Sequence, residues 1–204
     1  MNKNSTLIKI CGLSRPEDID VVNELRPDFI GFVFYEKSKR NVTKEKAKSL
    51  KEKLDSRIPA VGVFVNADPE FVISLLEERI IDIAQLHGSE DEEYIQNIRA
   101  KTGRKVIKVF VVNDAQSLEE AEKSSADYLL LDSGMGTGST FDWSKLDEVT
   151  RPYFLAGGLG LDNIDKALSE IKPYAVDVSS GVETDGVKDP AKIREFINRV
   201  RKYN

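Results

Sequence analysis

The hydrophobic positions of this chain are grouped in eight short runs of apolar and β-branched residues. Each run has five or six residues, which is the length of a strand rather than of a helix. The runs begin about every 22–31 residues, close to the span of one compact βα unit. They are LIKIC (7–11), FIGFVF (29–34), AVGVFV (60–65), DIAQLH (82–87), VIKVF (106–110), YLLLD (128–132), YFLAG (153–157) and AVDVSS (175–180).

The segments between these runs have the mixed charged and apolar pattern of helices that cover a sheet. Asp68 stands directly before Pro69, so a capping side chain precedes a proline at the first helical position. Ser14 and Glu17 have the spacing of a capping box, which predicts that the first helix begins just after Ser14. The chain therefore alternates eight predicted strands with eight predicted helices.

This alternation predicts a parallel sheet in a single domain over residues 1–204, because no linker or change of composition interrupts it. Two α/β architectures fit: a closed (β/α)8 TIM barrel and an open doubly wound sheet. Eight evenly spaced units in 204 residues favour the barrel. An open sheet that bound a dinucleotide would show Gly-x-Gly-x-x-Gly after its first strand, and CGLSRPED does not contain that motif.

Side chains two positions apart on a strand share a face, and this rule separates polar from apolar positions. Lys9 shares a face with Cys11, and Asp177 shares one with Ser179, while the alternate positions are apolar. The first and eighth strands become neighbours when a barrel closes. We therefore expect an interior ion pair between Lys9 and Asp177, because an unpaired buried charge is costly. The alternative is that Asp177 contacts substrate or orients a site residue.

Candidate catalytic groups end two of the runs, where the active sites of (β/α)8 barrels lie. Cys11 ends the first run and Asp132 ends the sixth, so the barrel would place both on one rim. A thiol and a carboxyl that face each other across a pocket can serve as a base and an acid. The alternatives are a buried structural thiol for Cys11 and a capping or loop carboxylate for Asp132.

Two glycine-rich loops, AGGLG and SSGVETDG, follow the seventh and eighth runs, where this fold often binds phosphate. The candidate phosphate-binding residues are Gly157, Gly158, Ser180 and Gly181; the alternative is that the glycines only form turns. A third glycine-rich loop, at 134–143, predicts a flap or a further anion-contacting segment.

Two more polar residues follow predicted strands and are candidates for contact with substrate. Arg40 lies in the basic loop YEKSKRNVT and could bind a carboxylate through two parallel hydrogen bonds, unless it is only a solvated surface charge. His87 opens the loop after the fourth run, as either a substrate-contacting or a locally hydrogen-bonded histidine.

Composition narrows the classes of function. One cysteine excludes an internal disulfide, and with a single histidine it leaves too few ligands for a soft-metal site. The alternative is an all-carboxylate Mg²⁺ site, but no motif supports one, so we expect no metal. A net charge of −5 argues against nucleic acid and acidic membranes as partners. No apolar run approaches the roughly 20 residues of a membrane span. We expect a cytoplasmic protein with no membrane partner.

Eight motifs taken in order resemble the phosphoribosylanthranilate isomerase family of tryptophan biosynthesis, a branch of aromatic amino acid biosynthesis. The resemblance covers nearly the whole chain, and its motifs are highly specific as a set. They are KICG at 9–12, GFVFYEKSKR at 31–40, VGVFVN at 61–66, QLHG at 85–88, LLLDS at 129–133, GTGSTFDW at 136–143, LAGGL at 155–159 and DVSSGVE at 177–183.

The resemblance implies a cofactor-independent isomerase of the aldose–ketose type, built as one (β/α)8 barrel. It implies an Amadori rearrangement of N-(5-phosphoribosyl)anthranilate to 1-(2-carboxyphenylamino)-1-deoxyribulose 5-phosphate. By resemblance Cys11 is the general base, Asp132 is the general acid and Arg40 holds the anthranilate carboxylate, while the loops at 157–158 and 180–181 bind phosphate. Ser139 stands where the family commonly has lysine, which puts in doubt a charged contact from that loop.

Two other functions fit the same barrel and phosphate loops. One is a different phosphosugar isomerase or epimerase, although a single histidine suits a metal-dependent epimerase poorly, and Cys11 stands where related histidine-pathway isomerases have a carboxylate. The other is a non-catalytic barrel that only binds a phosphorylated ligand. In each case we expect a small phosphorylated molecule as the ligand and a monomer, with an oligomer left open.

Overall fold

The computed structural model describes residues 5–112, 114–132, 146 and 149–204. Eight parallel strands close into a barrel in sequence order, and the eighth pairs with the first. The predicted barrel is confirmed and the open doubly wound sheet is wrong. The strands are β1 (Leu7–Cys11), β2 (Phe29–Phe34), β3 (Ala60–Phe64), β4 (Ile83–Leu86), β5 (Val106–Val111), β6 (Tyr128–Asp132), β7 (Tyr153–Ala156) and β8 (Ala175–Val178).

Helices cover the outside of the barrel, each following a strand. Seven are seen in the described residues, and the segment between β6 and β7, where another is predicted, lies largely outside those residues. They are α1 (Pro16–Leu25), α2 (Lys44–Lys53), α3 (Pro69–Glu77), α4 (Glu92–Thr102), α5 (Ala115–Lys123), α6 (Ile164–Glu170) and α7 (Pro190–Lys202). None of the helices seen there is long and apolar enough to cross a membrane.

The strands separate two hydrophobic cores, as their alternation predicts. Ile8 and Ile10 belong to the large core between the barrel and its helices, whereas Leu130 and Phe154 belong to a smaller core inside the barrel. Lys9, between the two isoleucines, faces the interior and is fully buried. Polar groups placed at the same alternate positions near the strand ends therefore converge on the mouth of the barrel.

Helix starts follow the proline signal more closely than the capping-box spacing. Asp68 caps α3 as predicted, since its carboxylate accepts a hydrogen bond from the backbone of Glu70 at 2.8 Å. The capping box of Ser14 with Glu17 is wrong, because α1 begins at Pro16, where a fixed φ and a missing N–H suit the first helical position. Asp18 accepts from the Ser14 and Arg15 amides instead, at 3.0 Å each.

A short antiparallel hairpin follows β8 at the mouth of the barrel and was not predicted. Its strands are β9 (Glu183–Thr184) and β10 (Val187–Lys188). The turn between them places Asp185 at φ 52° and Gly186 at φ 77°, the left-handed conformations of a two-residue hairpin turn. The Asp-Gly pair in SSGVETDG is the sequence signal for this hairpin, which extends beyond the predicted phosphate loop.

Candidate active site

A cavity of about 390 Å³ opens at the carboxyl ends of the barrel strands. The cavity brings together eight of the nine predicted site residues, drawn from loops and strand ends around the whole barrel. Gly181 is the one that does not line it. The eight are Cys11, Arg40, His87, Asp132, Gly157, Gly158, Asp177 and Ser180.

Lys9 connects Asp177 to Cys11 at the bottom of the cavity. Its ammonium group donates to both carboxylate oxygens of Asp177, at 3.0 and 2.9 Å, and its positive charge favours the charged form of the Cys11 thiol. The pairing of β1 with β8 sets Lys9 directly beside Asp177. The predicted ion pair is confirmed, and it offsets the cost of burying a lysine that is 0% exposed.

The Cys11 thiol lies in a site where its charged form is disfavoured. Burial raises the pKa of Cys11 above its usual range, and the nearby Asp177 carboxylate raises it further, while the ammonium groups of Lys9 and Lys188 oppose the rise without cancelling it. Because Lys9 already neutralises Asp177, a thiolate would add a net negative charge to the buried cluster. In the free protein at neutral pH, the thiol is therefore protonated.

Alkylation of Cys11 should report this balance of charges, because the chain has no other cysteine. We expect the rate of reaction with iodoacetamide to rise with pH through a midpoint above about 8.5, the ordinary value for a thiol. In Asp177→Asn the midpoint should fall, since the negative charge that opposes the thiolate is removed.

Ser179→Ala is a matched control for this experiment. The Ser179 hydroxyl donates to the Cys11 carbonyl oxygen at 3.2 Å and accepts from Lys188 at 3.3 Å, so its loss removes two hydrogen bonds but no charge. The midpoint of this variant should match that of the wild type. A wild-type midpoint at or below 8.5, or an unchanged midpoint in folded Asp177→Asn, would show that burial and Asp177 do not control the thiol.

His87 and Asp132 face each other on the opposite part of the rim. Nε2 of His87 lies 4.0 Å from Oδ2 of Asp132. Burial lowers the pKa of His87 below its usual range, although the Asp132 carboxylate acts in the opposite direction. The imidazole is therefore neutral at pH 7 and can accept or donate a hydrogen bond beside the Asp132 carboxyl group.

The loop that carries His87 is held by a buried polar cluster that sequence reasoning missed. Glu90 accepts hydrogen bonds from the backbone of Asn66 at 2.7 Å and of Gly88 at 2.8 Å. Lys108 donates to Glu90 at 3.1 Å and to the Gly88 carbonyl at 2.7 Å. A lysine on the outward, buried face of β5 was the available signal, because a charge in that position requires a partner.

The glycine-rich loops after β7 and β8 pack closely against each other. Gly157 and Gly158 adopt φ values of 94° and 64°, which other residues rarely tolerate. At Gly181 a Cβ atom would collide with the carbonyl oxygen of Leu159 in the neighbouring loop. Gly181 therefore allows the two loops to meet, while Gly157, Gly158 and Ser180 face the cavity; phosphate binding by this group stays a prediction.

Arg40 is paired with the hairpin that follows β8, so the alternative of a solvated surface charge is wrong. Its Nε and Nη2 atoms donate to the two carboxylate oxygens of Glu183, each at 2.6 Å. Glu183 also accepts from Lys188 at 2.5 Å. Sequence reasoning missed Glu183 and Lys188, and the hairpin that carries them explains their position over the rim.

Two further predictions concern the third glycine-rich loop and the absence of a metal site. The glycine-rich loop at 134–143, with Ser139, lies outside the described residues. Within the described ranges, no three His, Cys, Asp or Glu side chains are grouped as a metal site would require.

The sequence was compared with protein families and with curated proteins. Residues 8–199 match the family model described as N-(5'phosphoribosyl)anthranilate (PRA) isomerase. The chain is 46% identical over 205 residues to the N-(5'-phosphoribosyl)anthranilate isomerase of Clostridium acetobutylicum, which covers 96% of this chain and 98% of that protein. The enzyme of the same name from Acetivibrio thermocellus is 43% identical over 210 residues, covering 96% of each chain.

Solved structures of phosphoribosyl anthranilate isomerases are also similar to this chain. The phosphoribosyl anthranilate isomerase of Thermotoga maritima has a TM-score of 0.87 and 36% identity, covering 97% of this chain and 99% of that one. A phosphoribosyl anthranilate isomerase in complex with reduced 1-(o-carboxyphenylamino)-1-deoxyribulose 5-phosphate has a TM-score of 0.85 and 35% identity, with the same coverage. The 3-hexulose-6-phosphate synthase of Salmonella typhimurium, 17% identical with a TM-score of 0.74, shares the fold alone.

Proposed function

Because the chain belongs to the N-(5'-phosphoribosyl)anthranilate isomerase family, we propose that Cys11 and Asp132 are the base and the acid with which it acts in tryptophan biosynthesis. The enzyme converts N-(5-phosphoribosyl)anthranilate to 1-(2-carboxyphenylamino)-1-deoxyribulose 5-phosphate. One observation carries the assignment of roles: a single cavity is lined by the thiol, the carboxyl group, Arg40 and the glycine-rich loops. A substrate that joins a sugar phosphate to an aromatic acid requires all of these groups in one cavity.

Asp132 begins the reaction by opening the ribose ring. Its carboxyl group donates a proton to the ring oxygen, and the bond between that oxygen and C1′ breaks. The lone pair of the anthranilate nitrogen forms a C1′=N double bond, which leaves an iminium cation and an Asp132 carboxylate. The neutral imidazole of His87, 4.0 Å away, is placed to keep the carboxyl group oriented toward the substrate.

Cys11 completes the rearrangement as a thiolate, which forms when the thiol of the free protein gives up its proton to Asp132 before ring opening. It removes the proton from C2′, the C–H electrons form a C1′=C2′ double bond, and the iminium electrons return to nitrogen. The resulting enolamine tautomerises to the ketone, and a proton passes through solvent from the thiol back to Asp132. The iminium accepts the electrons, so this step needs no metal or organic cofactor. The raised pKa of Cys11, caused first by burial, makes its thiolate a stronger base.

The remaining cavity residues bind the two ends of the substrate. Gly157, Gly158 and Ser180 surround the phosphate, with Gly181 holding the two loops together, and Arg40 binds the anthranilate carboxylate. Gln85 adds an acceptor for a ribose hydroxyl, because its buried Oε1 has no hydrogen-bond partner among the described residues. Asp177 holds the Lys9 ammonium group by two hydrogen bonds and completes the wall of the cavity beneath the sugar.

The setting of the enzyme follows from the same reasoning. The ligand is a free, small phosphorylated metabolite, and we assign the reaction to the cytoplasm, where a reduced thiol at Cys11 persists. One barrel holds every proposed site residue, so residues 1–204 act as a single domain and a monomer is sufficient for catalysis. A Thermotoga maritima relative is described as dimeric, which is a property of that protein.

Turnover of phosphoribosylanthranilate tests this function directly. The purified protein should convert the substrate to the ketose product without added metal or cofactor. The reaction can be monitored by the loss of substrate fluorescence and by chromatographic separation of the substrate from the product, which has the same mass. Ribulose 5-phosphate serves as the control substrate for the competing epimerase or phosphosugar isomerase function. Conversion of the control but not of phosphoribosylanthranilate would reject the proposal, and binding without conversion of either would indicate a non-catalytic barrel.

A further inference from the structure

The pair formed by Arg40 and Glu183 has a geometry that leaves part of the guanidinium group for a ligand. The carboxylate of Glu183 takes the side edge, formed by Nε and Nη2, in two parallel hydrogen bonds of 2.6 Å. The end edge, formed by Nη1 and Nη2, makes no hydrogen bond within the described part of the chain. Since a guanidinium group offers a planar fork at each edge, a second carboxylate can bind there in the same plane.

Glu183 is itself held firmly, so it can act as a fixed support. Its side chain is 7% exposed, and Lys188, with a side chain that is 2% exposed, donates to it at 2.5 Å. Lys188 also donates to the Ser179 carbonyl oxygen at 2.9 Å, which ties the hairpin to the end of β8. Glu183 thus connects the loop after β2 to the hairpin after β8, and these two segments lie on either side of β1.

The aliphatic part of Arg40 is fixed from the other side. Gly12 adopts φ 79°, and a Cβ atom at that position would collide with Cδ of Arg40. The absence of a side chain at Gly12 lets the Arg40 chain lie across the end of β1. Between Gly12 and Glu183, the guanidinium plane has little freedom to rotate, and its exposed part borders the cavity.

The charges of this cluster also leave room for one anion. Arg40 and Lys188 carry two positive charges and Glu183 carries one negative charge, which leaves a net charge of +1. Burial raises the pKa of Glu183, but its bonds with Arg40 and Lys188 outweigh that effect and lower the pKa below its usual range, so Glu183 stays ionised. A substrate carboxylate would neutralise the cluster.

We propose that Glu183 is a positioning residue that orients Arg40 so that its end edge receives the anthranilate carboxylate, which makes the enzyme selective for substrates with that carboxylate. The proposal rests on the proposed function, because it assumes that the aromatic acid lies against Arg40. It adds a role for a residue on the hairpin after β8 that does not itself touch the substrate.

Ligand binding tests the proposal without requiring turnover. The ligand is the reduced form of 1-(o-carboxyphenylamino)-1-deoxyribulose 5-phosphate, here called the reduced product analogue. By calorimetry, Glu183→Gln should raise its Kd roughly 10- to 100-fold, the range for a misplaced charged hydrogen bond. The matched ligand without the carboxylate, the phenylamino analogue, should bind the wild type and Glu183→Gln with equal Kd. In the Arg40→Ala background, Glu183→Gln should change the Kd of the carboxylated analogue by less than about twofold.

A purely structural role for Glu183 gives a different result. A folding defect would lower the number of binding sites and the melting temperature, and it would affect both ligands alike. The proposal is overturned if Glu183→Gln leaves the Kd of the carboxylated analogue unchanged, or if the loss is the same with and without Arg40. These experiments measure binding and not turnover. A protein that failed to catalyse the reaction would therefore reject the proposed function, while the effect of Glu183→Gln on Kd could still be measured.

Discussion

Replacing Cys11 with serine is expected to lower kcat by about 10²- to 10⁴-fold, the contribution of a general base. Serine has nearly the shape of cysteine, and Cys11 is packed tightly, with its sulfur close to Gly31, so the variant leaves no large cavity. Its hydroxyl cannot ionise at any pH where the protein is stable. Proton removal from C2′ therefore loses its base while substrate binding continues.

The measurement for Cys11→Ser is steady-state turnover of phosphoribosylanthranilate, with KM and kcat determined separately. KM should change little, because the groups proposed to bind the carboxylate and the phosphate remain in place. Circular dichroism and binding of the reduced product analogue are the controls for folding and for an intact cavity. A folded Cys11→Ser protein with the wild-type kcat would remove Cys11 from the mechanism and return it to the class of buried structural thiols.

Replacing Asp132 with asparagine is expected to have an effect of the same size, about 10²- to 10⁴-fold on kcat, for a different reason. Asparagine has the same shape as aspartate and can donate a hydrogen bond, but it cannot transfer a proton to the ring oxygen. Ring opening then depends on water. Steady-state turnover should show the loss in kcat, with the melting temperature and the Kd of the reduced product analogue as controls for the fold and the cavity.

His87→Asn is a useful comparison for Asp132→Asn, because the two side chains are neighbours. A loss that is much smaller for His87→Asn is expected, since His87 supports the acid and does not transfer the proton in the proposed mechanism. Equal losses would move the acid role toward the histidine. Wild-type kcat in Asp132→Asn would contradict the assignment of the acid altogether.

Most of the barrel could be predicted from the sequence because its information is local. Strand β1 is typical: apolar Ile8 and Ile10 flank Lys9 with a period of two, and that period determines which side chains face the interior. The closed barrel adds only that the first and last strands are neighbours, and this was sufficient to pair Lys9 with Asp177. Catalytic candidates at the strand ends then followed from where this fold places its active sites.

The partner of Arg40 could not be predicted in the same way. Glu183 is 143 residues away, and the contact depends on how far a two-residue turn brings the hairpin across the rim. No periodicity encodes that distance. The Asp-Gly signal indicates a hairpin, but it does not say which side chain the hairpin will meet.

The effect of burial on the pKa of Cys11 could not be predicted from the sequence either. A cation two positions away on the same face favours a thiolate, and the Lys9 ammonium group does act to lower the pKa of Cys11. The net effect depends on Asp177, which neutralises Lys9, and on how completely the cluster is shielded from water. Burial outweighs the cation, so the pKa of Cys11 is raised. Which of these opposing effects prevails depends on the three-dimensional packing around the sulfur.

The division of work between Cys11 and Asp132 is tested most directly by the deuterium isotope effect on kcat with phosphoribosylanthranilate deuterated at C2′. In Cys11→Ser, removal of that hydrogen limits the rate, so the deuterated substrate should react more slowly by a primary isotope effect. In Asp132→Asn, ring opening limits the rate, so both substrates should react equally fast. An isotope effect in Asp132→Asn with none in Cys11→Ser would contradict the assignment of base and acid.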